Sequence, residues 1–158
     1  KFPNFEEKPV VLKTKHFANI FGVKFLPCTG DKELVTGAMD CSVQLHHLDR
    51  LASDHNVHTT SMDYHSDRVK AVEVEKGNPF NFWSASEDGT CRQFDTRCLM
   101  EQTNCLINLN ASSGAGGRKE IKGLSINPCQ PHQMALACSD AYVRVYDRRM
   151  LSLSEGGP

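Results

Sequence analysis

Apolar and polar residues alternate in short runs along most of the chain, and the runs recur. "IFGVKF" places Ile20, Val23 and Phe25 where "RVKAVEV" places Val69, Val72 and Val74, and where "IKGLSI" places Ile121, Leu124 and Ile126. Alternation of this kind marks a half-buried strand. Each run leads into a loop of turn-forming residues, "LPCTGDKE", "EKGNPFN" and "NPCQPHQ", rich in Pro, Gly and Asn. A second strand follows in "LVTGA", "FWSAS" and "MALAC". The next turn holds Asp40, Asp88 and Asp140, spaced 48 and 52 residues apart, each three positions before the apolar start of a third strand at Val43, Cys91 or Val143. Asp88-Gly89 is the clearest tight-hairpin signal of the three. A fourth strand fits "VVLKTK" ahead of the first copy, "VHTTSM" ahead of the second and "CLINLN" ahead of the third. No window of about a dozen residues sustains helical spacing without a Gly, Pro or β-branched interruption.

Four short antiparallel strands per unit of about 50 residues is the pattern of a β-propeller blade, so the expected fold is all-β. The reading divides the chain into an outer strand of a preceding blade (1–15), blade one with its connection (16–64), blade two with its connection (65–116), blade three (117–151) and a linker (152–158). Propellers close with roughly four to eight blades. Three blades form an incomplete ring, whose unpaired edges and apolar faces should be left uncovered. The expectation is a piece of a longer propeller or a fragmentary gene product.

Composition narrows the function classes. The 158 residues are 39% hydrophobic and 23% charged, as in a water-soluble globular chain, and the formal net charge is −1. That balance offers neither a basic nucleic-acid face nor a polybasic membrane anchor. No apolar run approaches the roughly 18 residues of a membrane span and no signal pattern opens the chain, which points to an intracellular protein. The seven cysteines are scattered and never spaced Cys-x-x-Cys, so they read as reduced thiols, several of them apolar fillers in strands. The Asn110-Ala111-Ser112 sequon matters only in a secreted protein.

Candidate chemistry is thin. His46-His47 cannot readily chelate one metal, because neighbouring side chains on a strand point to opposite faces; His55-x-x-His58 is the other histidine pair. "SSGAGGRKE" resembles a phosphate-binding loop but lacks the spacing and the following helix, and reads as a connection between blades. No cysteine shows the electropositive setting of a nucleophile. The reading is therefore non-enzymatic, with no cofactor and no metal.

One echo stands apart. "RQFDTR" at 92–97 returns as "RVYDRR" at 144–149, 52 positions later, with Arg, aromatic, Asp and Arg in register. Strand alternation accounts for the aromatic and the first Arg. It does not account for Arg97 and Arg149, whose planar forks suit carboxylate recognition. Asp95 and Asp147, two residues back, could each orient the Arg for a partner, or simply bind it and cap the turn. The first copy ends "HHLDR", with Asp49 directly before Arg50, and does not fit.

These residues resemble the WD-repeat family, whose unit has a His near its start and ends in Trp-Asp. The resemblance carries that family's buried network onto His65, Ser84, Asp88 and, at the Trp position, Phe94; in the first copy onto His16, Thr36, Asp40 and His46. The third copy keeps Asp140, with Leu136 at the hydroxyl position and Tyr146 at the Trp position, so it is expected to rely on packing more than on polar locking. "NIFGVKFLP", "HSDRVK", "FWSASEDG", "LSINP" and "VRVYDRRML" together resemble the amino-terminal propeller of the adipose-type WD-and-tetratricopeptide-repeat proteins. That resemblance implies a substrate receptor that docks on the damaged-DNA-binding adaptor of cullin-4 ubiquitin ligases through Arg97 and Arg149, in the nucleus and cytoplasm, with protein substrates that include histones. It implies no direct contact with nucleic acid or membrane. The alternative is a general scaffold or histone-binding propeller without ligase association.

Overall fold

A computed structural model of the chain describes residues 9–50, 56–98, 103–111, 117–151 and 154–155. The alternating runs become strands in chain order: β1 (Ile20–Phe25), β2 (Glu33–Ala38), β3 (Val43–His47), β4 (His58–Met62), β5 (Val69–Val74), β6 (Asn81–Ser86), β7 (Thr90–Asp95), β8 (Asn104–Asn108), β9 (Ile121–Ile126), β10 (Gln133–Cys138), β11 (Val143–Asp147) and the short β12 (Ser154–Glu155). Two 3-10 turns, Leu48–Arg50 and Arg148–Met150, are the only helical elements among the described residues. The strands pair antiparallel in three sheets, ordered β1-β2-β3-β4, β12-β8-β7-β6-β5 and β11-β10-β9. This is an all-β, incomplete propeller.

Two details depart from the sequence pattern. Residues 10–15 build no ladder; Lys13 makes one isolated parallel bridge, to Asn56. Ser154–Glu155, in a stretch with the composition of a linker, pairs with Cys105 and Asn104 on the outer edge of β8. An exposed strand edge offers free N–H and C=O groups to any passing segment, and a short polar strand is enough to cap it.

The hydrophobic cores lie between sheets. One joins Leu26, Val35, Val43 and Leu45 of the first sheet to Val69, Val72, Phe82 and Phe94 of the second. The other joins Trp83, Ala85 and Cys91 of the second to Ile121, Met134 and Leu136 of the third. Each sheet thus has two apolar faces, and the middle sheet buries both.

The inner strands set how closely sheets approach. In every sheet a small residue faces a small residue across the first pair of strands: Gly22 opposite Gly37, Ala71 opposite Ala85, Gly123 opposite Ala137. A register shift sits beside each pair, so Phe21, Lys70 and Lys122 are extra residues in bulges. The small pair is a socket for the next sheet. A Cβ on Gly22 would stand 2.9 Å from the backbone nitrogen of Val72, and one on Gly37 would stand 2.6 Å from Cγ1 of Val69. Across the same joint Lys24 Nζ meets Glu73 Oε1 at 3.1 Å.

The outward faces of the first and third sheets meet no described residue comparable to these partners. Val23 is 57% exposed and Val145 68%, whereas Val72, which occupies the position of Val23 in the middle sheet, is 3% exposed.

All seven cysteines are free thiols. Burial raises the thiol pKa of Cys91 and of Cys105, which suits small apolar fillers and not nucleophiles.

Filling the socket should overpack the joint. Gly37→Ala is expected to lower stability by roughly 1–3 kcal/mol, seen as a lower urea midpoint. Gly123→Ala should leave the midpoint unchanged or raise it, because its Cβ would find only the Ala137 Cβ, at an ordinary 3.5 Å.

Candidate functional site

The titratable groups that look catalytic are turned inward. In the first sheet the Nδ1–H of His16 donates to Asp40 Oδ2 at 2.9 Å, and the Thr36 hydroxyl lies 2.7 Å from His16 Nε2 and 2.8 Å from His46 Nε2. His46 Nδ1 then meets the Thr59 hydroxyl at 2.9 Å. The polar chain crosses the sheet from the turn before β1 to the outer strand. His46 is fully buried, and burial, together with the charges of His16 and His47, lowers its pKa to about 4.

The second sheet repeats the inner half of this arrangement. The Nδ1–H of His65 donates to Asp88 at 2.8 Å, and Ser84 Oγ sits 2.6 Å from its Nε2. Burial alone would raise the Asp88 pKa, but hydrogen bonds from His65 and Thr90 outweigh it and hold the carboxyl well below the usual range. Phe94 stands where His46 stands and stacks on Phe82 with centroids 4.9 Å apart. With acid and imidazole satisfied by each other in a closed interior, no group of either set faces a substrate.

In the third sheet, which lacks the His, Asp140 meets Arg144 instead, with Nη1 and Nη2 donating to the two carboxylate oxygens at 2.8 and 2.5 Å; the pair is partly exposed and so locks its turn less firmly than the buried networks do. That pair, led by the Arg144 hydrogen bonds, brings the Asp140 pKa down to about 2.

The opposite ends of the third strands carry the doubled motif. The carboxylate of Asp95 accepts from the backbone N–H of Arg97 at 2.9 Å, from its Nε at 2.9 Å and from its Nη2 at 2.5 Å. Asp147 does the same for Arg149, at 3.0, 3.0 and 2.5 Å. Hydrogen bonding from Arg149 brings the Asp147 pKa down to about 2, and Arg97 lowers that of Asp95. The Arg side chains are 64% and 67% exposed. An exposed ion pair contributes little to stability, so these pairs orient the guanidinium more than they stabilise the fold. Nη1 of each Arg meets no hydrogen-bond acceptor among the described residues. The Arg97 guanidinium also lies 4.7 Å over the Phe80 ring, at the wall of an open cleft of about 400 Å³ between the first two sheets, where Lys32, Glu33, His47 and Asp49 face it.

Between Asp147 and Arg149, Arg148 has a different role that the sequence did not disclose. It turns inward, 15% exposed, hydrogen-bonds the Pro131 carbonyl, reaches Glu75 Oε1 at 3.1 Å and lies 4.5 Å over the Trp83 ring. Its counterpart in the second sheet is Thr96, so the echo gives no hint of it.

The remaining candidates are committed elsewhere. His47 pairs with Glu33 at 3.2 Å and tilts against His58; His55 lies outside the described residues. Among the described residues no three His, Cys, Asp or Glu side chains gather as a metal site would require. Asn110 is a structural staple: its amide accepts from the Lys119 N–H at 2.8 Å and donates to the Lys119 carbonyl at 2.9 Å and the Asp88 carbonyl at 3.1 Å. Residues 112–116 of the glycine-rich connection lie outside the described residues.

Antiparallel sheets of three to five strands stacked through their inner strands, each with an Asp-anchored turn, define a segment of β-propeller, a protein-interaction architecture. The chain belongs to the WD-repeat family. It is 38% identical over 149 residues to WD and tetratricopeptide repeats protein 1 of Mus musculus, covering 94% of this chain and 21% of that protein. It is 40% identical over 164 aligned residues to Protein ALTERED SEED GERMINATION 2 of Arabidopsis thaliana, covering 89% and 21%. It is 33% identical over 150 residues to DDB1- and CUL4-associated factor 6 of Homo sapiens, covering 92% and 16%. The chain therefore spans about a fifth of the length of these relatives. No family model matches it.

His46 supplies a pH test. Its folded pKa lies below the value of about 6.5 expected in the unfolded chain, so the unfolded state binds the proton first and stability falls as pH drops from about 6.5 to about 4. The fall should reach roughly 2–3 kcal/mol. Urea titrations across that window should show it in the parent chain and show it much reduced in His46→Phe.

Proposed function

We propose that this propeller segment is part of a substrate receptor that docks on the DDB1 adaptor of a cullin-4 ubiquitin ligase through Arg97 and Arg149. The observation that carries the reading is the repeated geometry: two exposed guanidinium groups, each held by its own Asp, at the ends of equivalent strands in neighbouring sheets. One relative bears association with DDB1 and CUL4 in its name, which favours this partner over a general scaffold role.

The arrangement suits docking. A free Arg side chain has about 2 kcal/mol of rotamer entropy to lose on binding, and Asp95 and Asp147 remove much of that loss in advance. The Nη1 edge remains to donate to a carboxylate or carbonyl on the adaptor, and Phe80 beneath Arg97 gives the contact an apolar floor. Protein substrates would be held by another surface, and we place the receptor in the nucleus and cytoplasm.

Arg97→Ala and Arg149→Ala should each lower adaptor recovery in a pull-down with the full chain by about tenfold, since central Arg contacts contribute on the order of 1–2 kcal/mol or more. Neither should shift the melting temperature much, because both side chains stand largely in solvent. Arg148→Ala, by contrast, should lower it. Undiminished recovery in the double variant would sink the assignment.

A further inference from the structure

We propose that the cleft beside Arg97 is a preformed pocket for one acidic side chain of the docking partner, gripped between the guanidinium of Arg97 and the ammonium of Lys32. The inference rests on the docking reading and extends the contact to the first sheet, which supplies the pocket's other wall.

The two joints differ where the pocket lies. Between the second and third sheets, Arg148 fills the space at the strand ends, reaching Glu75 Oε1 at 3.1 Å with its guanidinium 4.5 Å over the Trp83 ring. Between the first and second sheets, register puts Thr96 at the Arg148 position, Leu26 at that of Glu75 and Val35 at that of Trp83. The exchange removes the guanidinium, its anion and its aromatic face together. What remains is the open cleft of about 400 Å³, with Lys32 and Asp49 on the first sheet's side and Phe80, Thr96 and Arg97 on the second's.

Both walls are held in place before anything binds. The Leu48 N–H donates to the Lys32 carbonyl at 2.7 Å, and the Thr96 N–H donates to the Phe80 carbonyl at 2.8 Å. Each wall is therefore two loops tied to one another, and a site fixed in this way loses less ordering entropy on binding.

Charge selects the occupant. Asp95 is taken up by Arg97, and Glu33 by His47 at 3.2 Å. Lys32 makes no ion pair among the described residues, and Nη1 of Arg97 meets no acceptor among them. Those are the cationic donors a carboxylate needs, and the Phe80 ring under the guanidinium gives the methylenes that carry it an apolar seat. Asp49, on the wall facing Arg97, repels a second carboxylate and accepts from a peptide N–H or a lysine. The pocket thus fits a single acidic residue flanked by a donor, and disfavours a run of acids.

Calorimetric titration of the full-length chain with the purified DDB1 adaptor tests the pocket. Lys32→Glu should raise the dissociation constant roughly 10-fold, as loss of one partner of a charged contact does. Thr96→Met, which fills the cleft without adding charge, should also raise it, and Asp49→Asn should leave it unchanged or lower it. Melting temperatures should stay near the parental value, because Lys32 and Asp49 are exposed and Thr96 is half-buried at the cleft. Tighter binding by Lys32→Glu would show that the partner presents a base, and parental affinity in either Lys32→Glu or Thr96→Met would show that the adaptor does not enter the cleft. Each of these results overturns the pocket, while loss of binding in the Arg97→Ala and Arg149→Ala double variant would leave the docking reading standing. Parental affinity in that double variant overturns both.

Discussion

A single sheet of this chain cannot bury its two apolar faces, so each must be covered by a neighbour, and the closest approach between neighbours is set at the inner strands. There the pairs Gly22–Gly37 and Ala71–Ala85 leave room for the branched side chains of the next sheet. Val69 and Val72 fill that room so closely that one methyl group more on the glycine side has nowhere to go. Burying such a side chain contributes about 1.5–3 kcal/mol, and in the two inter-sheet cores these residues pack with Phe82, Phe94, Trp83 and Met134. The joint also fixes orientation. Because each sheet enters it in the same register, beside the same bulge, the third strands of neighbouring sheets leave in the same sense, and that brings the two Asp-x-Arg endings to one side.

The same local device serves opposite purposes at the two ends of the third strand. Asp40 and Asp88 accept the backbone N–H of the residue two ahead, Ser42 or Thr90; Asp95 and Asp147 accept that of Arg97 or Arg149 in the same way. Burial separates them. The interior carboxylates are desolvated and are kept ionised by histidine and hydroxyl partners, so they lock a turn. The rim carboxylates stand in water, where the Arg pair adds little stability and its chief effect is to hold a cation in one direction. Asp140 lies between these cases, since it occupies the locking position yet pairs with an arginine that remains partly exposed.

Much of this was legible as alternation. The paired positions Val23, Val72 and Leu124, the loops between them and the three turn aspartates follow from period two and turn chemistry alone. What stayed hidden depended on neighbours in space. Gly22 and Gly37 read as ordinary turn or strand glycines until Val69 and Val72 are set against them. Arg144 reads as a strand residue, because nothing in a linear pattern says that the histidine lost from the start of the same repeat frees Asp140 for it. The outer-strand reading of residues 10–15 rested on alternation without a partner strand, and alternation states only which side chains could share a face.

Arg148 and Arg149 show how far a repeat can carry a functional argument. Aligned with "FDTR", the pair looks like one conserved-looking ending plus one spare arginine, yet the two side chains leave the 3-10 turn in different directions. Arg148 goes into the joint, between Glu75 and the face of Trp83, where a guanidinium satisfies a charge and covers an aromatic ring together. Arg149 goes out, held by Asp147. The inward arginine pins the end of the third sheet to the second, and so fixes the turn from which the outward one projects. In the second sheet that position is Thr96, and Arg97 is steadied instead by Phe80 beneath it. Two arginines in the same relation to their strands are thus held by different supports, which makes their shared outward geometry a property of the Asp-x-Arg unit itself and not of the packing around it.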